Sequence, residues 1–252
     1  MGVLVVGHVG LRVQSARAAD GAEGERLTVR EAAGVHELRL DDVRTLRQTS
    51  ATINNQALYE FSDTSTKVVT WDETGAAGDE QAYFTVARDG AAFFEPRLLN
   101  REIKLRDASF EPVRGVPAID PALQAGADCR VRIVQFAIPP LPEMRQAVEQ
   151  FGTVRAFLPH HSFVVEMDQA GAAQVAALPF VRWVGLYHPQ FRVDASVREQ
   201  LLKDDTAQLG GEAKRYRVKV FDETIGQQFE VADRVEALGG SVEVADDSSF
   251  LM

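Results

Sequence analysis

Cysteine is almost absent from this 252-residue chain, where Cys129 stands alone. A single thiol forbids an intramolecular disulfide and any cysteine-rich zinc site. With no activating motif around it, Cys129 reads as a small interior or linker residue. Long apolar runs are also lacking, and none approaches the length of a membrane-spanning helix. Lys and Arg number 27 against 37 Asp and Glu, a net charge of −10 spread without blocks. That balance weighs against a nucleic-acid or anionic-membrane surface, since both need clustered cations. Catalytic signatures are missing as well. There is no Gly-x-Ser-x-Gly elbow, no Walker loop, no Gly-x-Gly-x-x-Gly fingerprint and no His-Glu-x-x-His zinc helix. No catalytic, cofactor-binding or metal-ligating residue is nominated, and no cofactor is expected.

What is present is organised around residues 130–193. VRIVQF (131–136) is a run of β-formers stopped by Pro139, Pro140 and Pro142. In PEMRQAVEQFG, Met144, Val148 and Phe151 fall at i, i+4 and i+7, one stripe of a helix that Gly152 terminates. Residues 154–158 and 162–167 are two more strands, joined by a hairpin turn at Pro159-His160-His161. Asp168 caps an Ala-rich helix to Ala177, and FVRWVGLY (180–187) is a closing strand. The order strand, helix, hairpin, helix, strand predicts a split βαβ, or ferredoxin-like βαββαβ, unit with both helices on one sheet face. Its other face is expected to be open. Trp183 and Tyr187 share a strand face by alternation and read as core, whereas Arg182 on the opposite face reads as solvent-facing or docking. Adjacent His160 and His161 project differently, and no third ligand is placed by sequence. They read as solvated turn residues, not a metal pair.

The fold class expected for the whole chain is α+β. Residues 1–24 combine the apolar run 3–11 with Ser15-Ala16-Arg17-Ala18, either the remnant of a signal peptide or a buried first strand. Residues 25–115 form a β-rich N-terminal region with strand candidates at 27–30, 35–40, 57–61, 67–71, 82–86, 92–94 and 102–105. Asp89-Gly90 marks a hairpin between two of them. Pro112, Gly115, Pro117 and Pro121 mark a boundary. After the central unit, residues 194–215 read as a linker with helical character at 197–202. At 216–252 YRVKVF echoes VRIVQF, Val231, Val235 and Leu238 before Gly239 echo the helical stripe, and SSFLM echoes HSFVV. These echoes predict an incomplete second ferredoxin-like copy, a tandem repeat without second helix or fourth strand.

The combination VRIVQF, a helix ending FG, LPHHSFVVEM and LPFVRWVGLYHPQFRV resembles the pro-region of secreted subtilisin-like serine proteases. The stretch FVRWVGLYHP (180–189) is similar to the last strand and exit of those propeptides. The resemblance implies a ferredoxin-like sheet that chaperones and inhibits a catalytic domain lying downstream in cis, and hence secretion. The protease itself would be a hydrolase whose Asp-Ser/Thr-Gly, His-Gly-Thr-His and Gly-Thr-Ser-Met-Ala motifs do not occur here. No nucleic-acid or membrane partner is expected. RNA-recognition domains share the topology, but they need exposed stacking aromatics in a basic field. The alternative function is a stand-alone extracellular protease inhibitor or protein-binding module on the same fold.

Overall fold

The computed structural model describes residues 11–15, 26–61, 64–203, 215–220, 227–245 and 249–251. Most of the expected signal-peptide remnant therefore lies outside the described residues, as do 204–214 of the expected linker. The chain divides into two compact units, Met1–His188 and Pro189–Met252. It is an α+β protein in which all described strand pairings are antiparallel.

The first unit opens with β1 (Leu11–Ser15), which pairs with β5 (Thr52–Phe61). Between them β2 (Leu27–Ala32), β3 (Val35–Leu40) and β4 (Arg44–Thr49) form a three-stranded sheet. β5 continues into β6 (Thr66–Thr74), β7 (Glu80–Ala87) and the short β8 (Arg97–Leu98), giving a five-stranded sheet in the order β1-β5-β6-β7-β8. β6 is buried along almost its whole length because its two faces enter different cores. Val69 and Trp71 join Leu27, Leu38 and Leu40 in one, while Val68 joins the core of the following α/β region in the other. The Asp89-Gly90 turn forms as expected, with both residues at positive φ. Its return is irregular, so no strand lies at 92–94 and pairing resumes at Phe84 opposite Arg97.

The α/β region comprises β11 (Val131–Phe136), α1 (Pro142–Glu149), β12 (Thr153–Leu158), β13 (Ser162–Glu166), α2 (Gln169–Ala176) and β14 (Val181–Leu186). It follows β9 (Ile103–Lys104) and β10 (Ser109–Phe110), a minimal pair in an otherwise irregular stretch. The four strands lie in the order β12-β13-β11-β14. Pro142 opens α1 where its missing N–H costs nothing. Asp168 caps α2 by accepting from the Gly171 N–H at 2.7 Å. Met144 and Val148 of α1 and Ala172 and Val175 of α2 pack with Val134, Phe136, Phe163 and Val165, together with Tyr59 and Phe61 of β5. α1 ends at Glu149, before Gly152, although Gly152 has no positive φ. Its role is close approach, since a Cβ there would meet the Glu166 carbonyl oxygen at 2.5 Å and Met167 Cβ at 2.7 Å.

In the second unit Asp194 caps α3 (Ala195–Lys203) by accepting from the Ser196 N–H and hydroxyl. There follow β15 (Arg217–Lys219), α4 (Gln227–Ala237), β16 (Val244–Ala245) and β17 (Ser249–Leu251), with strand order β15-β17-β16. The buried residues of α4 include Gln228 and Ala232, while Leu238 is 82% exposed. The expected stripe therefore ends at Val235. Gly239, at φ 89°, turns the chain out of the helix.

Candidate functional site

The sheet face away from the helices is the surface that the sequence offers for docking, and β11 supplies its centre. Strand alternation sends Val134 and Phe136 to the helices and Ile133 and Gln135 to the opposite face. That face is not open. Residues 99–125 run across it as a strap, with Leu99, Ile103, Leu105, Phe110 and Leu123 all buried. Gln135 Nε2 donates to the Arg101 carbonyl at 2.8 Å, and the ring of Phe110 meets that of Trp183 edge-on at 6.4 Å. At the strap's end the Ala125 N–H donates to His188 Nδ1 at 3.0 Å. The expected boundary prolines thus sit within this strap.

A β-bulge shapes the site at β14. Val181 pairs opposite Phe136 and Trp183 opposite Gln135, leaving Arg182 as the extra residue. Because Val181 and Val184 both pack on the helix-side core, Arg182 and Trp183 share the strap side. Simple alternation had put them on opposite faces. Arg182 Nη1 donates to Gln135 Oε1 at 2.9 Å and to Glu111 Oε1 at 2.5 Å. Both members of the Arg182–Glu111 pair are 18% exposed. Trp183 lies across Gly185, where a Cβ would overlap its ring. Tyr187 is buried, in line with its reading as core.

A second bulge, in β5, anchors the beginning of the strap. Asn55, at φ 51°, donates from Nδ2 to Asp72 Oδ2 at 2.9 Å. The buried Asp72 carboxylate also accepts both guanidinium arms of Arg101, at 2.6 and 3.1 Å. Bidentate charge-assisted bonds of this kind fix geometry as well as adding energy. Asp72, Arg101, Gln135, Arg182 and Glu111 therefore form a polar zipper from β6 through the strap to β14. Sequence reasoning missed it because its members belong to segments far apart in the chain.

His160 and His161 both adopt positive φ in the β12–β13 turn, a costly conformation for non-glycine residues. His161 is only partly accessible, and its ring stands edge-on to Phe84 of β7 at 6.4 Å. Burial, with His160 beside it, pushes its pKa down to about 4, so the imidazole is neutral at pH 7. No cluster of three or more His, Cys, Asp or Glu able to hold a metal ion occurs among the described residues. Cys129 Sγ lies 3.6 Å from the Val131 carbonyl oxygen. No described helix is long and apolar enough to cross a membrane.

The strap and the sheet it covers form a self-closing platform. No curated protein and no solved structure matches the chain. A family described as a domain of unknown function (DUF8729) matches residues 104–188, a range that begins within the strap and ends at His188, where the strap is pinned.

Proposed function

We propose that the chain is the pro-region of a secreted subtilisin-like serine protease, with residues 130–193 a ferredoxin-like unit and residues 216–252 part of a second copy. The observation that carries this reading is the strand order β12-β13-β11-β14 with the buried residues of α1 and α2 in one core. The resemblance of FVRWVGLYHP to a propeptide exit implies that arrangement. The order β15-β17-β16, with α4 following β15, fits the corresponding part of the same plan.

The strap divides the labour between the copies. A protease docking on the first sheet would have to displace several buried side chains, each contributing about 1.5–3 kcal/mol. Opening the strap would therefore cost on the order of 6 kcal/mol or more. The first unit acts as a scaffold, and inhibition falls to the second copy. A second reading is a stand-alone extracellular protease inhibitor or protein-binding module, supported by a first sheet that its own chain completes and that would need no downstream domain to fold.

The test is to mix the purified chain, extended through any completion of its second copy, with the subtilisin-like domain encoded in the same reading frame. The pro-region reading expects no peptide hydrolysis by the chain alone, slower cleavage by the mixture and a higher refolding yield, since a partner that binds only the native enzyme stabilises it. Unchanged cleavage together with unchanged refolding overturns it. A reading frame beyond Met252 without the three protease motifs favours the stand-alone module.

A further inference from the structure

The outer edge of the five-stranded sheet holds a groove of about 280 Å³ that the pro-region reading does not use. Along β7, Phe84, Val86 and then Arg88 alternate onto one side. Arg97 lies opposite Phe84 across the β7–β8 pair, and Phe94 and Glu95 complete the wall. The wall is preformed. Phe94 N–H donates to the Val86 carbonyl at 2.9 Å, Ala91 N–H to the Arg88 carbonyl at 2.8 Å, and Thr85 Oγ1 to the Phe94 carbonyl at 2.5 Å.

The groove is lined by two cations, Arg88 and Arg97, and one anion, Glu95, all three exposed. Acidic residues outnumber basic ones by 37 to 27, so two cations facing one anion run against the chain's average charge. Arg88 and Arg97 have no ion pair among the described residues, although both line a cavity beside Phe94, which is 63% exposed. With Glu95 the lining carries one net positive charge. That balance suits a single carboxylate and works against a polyphosphate. The guanidinium fork matches a carboxylate in geometry, and Phe84, Val86 and Phe94 offer an apolar wall. The volume is at the lower limit of small-ligand sites, enough for one side chain with its carboxylate but not for a nucleotide.

We propose that this groove binds a monoanionic carboxylate carried on an apolar side chain, the chemistry of a free peptide C-terminus ending in an aromatic or aliphatic residue. The assignment stands independently of the protease reading. N-acetyl-leucyl-phenylalanine and its carboxamide, titrated separately into the full chain and followed by NMR, test it. The acid is expected to perturb resonances of residues 84–97 and to bind about tenfold or more tightly than the amide, the worth of one charge-assisted pair. Arg97→Gln and Arg88→Gln should each weaken the acid several-fold at unchanged melting temperature, and Glu95→Gln should tighten it. Equal binding of acid and amide, no binding of either, tighter binding of inorganic phosphate, or indifference to both arginine substitutions overturns the proposal.

Discussion

The two faces of the four-stranded sheet are closed by different means. On one, α1 and α2 press Met144, Val148, Ala172 and Val175 onto Val134, Phe136, Phe163 and Val165. Helices satisfy their own backbone groups, so this face can be closed mostly by apolar side chains. On the other, the strap has just two residues in each of its short strands. Its backbone must find partners elsewhere, and the bond from Gln135 to the Arg101 carbonyl is one such solution. An irregular cover therefore brings a connected row of polar side chains into the closed face, whereas on the helix face the buried Arg132 is met by the Gln169 side chain of α2 at 2.8 Å.

The comparison is tested first by cavity. Met144→Ala and Ile103→Ala remove fully buried side chains from opposite faces, and each should cost about 2–5 kcal/mol in denaturant unfolding. A loss below about 0.5 kcal/mol at Ile103, the ordinary surface value, would make the strap a loose overlay. Next comes the polar zipper. Arg101→Met leaves the buried Asp72 carboxylate with Asn55 as its remaining side-chain donor among the described residues, and should cost about 3 kcal/mol, most of it recovered when Asp72→Asn is added. A double-mutant cycle without coupling would remove the pair from the account.

Smaller effects separate the faces further. Gly185→Ala forces Trp183 aside and should cost about 1–3 kcal/mol as overpacking. The chain has two tryptophans and Trp71 is fully buried, so a red shift in fluorescence reports Trp183. An unchanged emission would mean that the indole does not lie over Gly185. The smallest effect is acid sensitivity at the turn. The unfolded chain takes up the His161 proton near 6.5, the folded chain only near 4. Its neutral form thus contributes stability that is complete above about pH 6.5 and lost as pH falls toward 4. His161→Asn, which tolerates the positive φ, should flatten that window by on the order of 1 kcal/mol after allowance for solvent screening. Parallel pH profiles for the two proteins would contradict it.

The same contrast explains what the sequence revealed. The helix side was legible because its signals are local and periodic. VRIVQF occupies the expected Val131–Phe136, and Met144 and Val148 lie on the expected stripe. β4 was missed because RTLRQT offers only Leu46 as an apolar marker, while Arg47 is held by a partner far along the chain, Glu73. The strap was illegible as a cover because its buried residues follow no period of 2 or 3.6. Arg182 was misassigned because a bulge shifts the face without leaving a sequence signature. The reading of an open docking face failed for that combined reason.

Hydrogen exchange on the full chain tests most directly whether the strap is a permanent part of the sheet's core. The amides of Leu99 and Leu105, bonded to the carbonyls of Ala82 and Ala108, are predicted to open with the same free energy as those of Val134 and Val165 in β11 and β13, as one cooperative unit. Exchange at Leu99 and Leu105 about a thousandfold faster, roughly 4 kcal/mol less protected, while the strands stay protected, would contradict it and return that face to the candidates for docking.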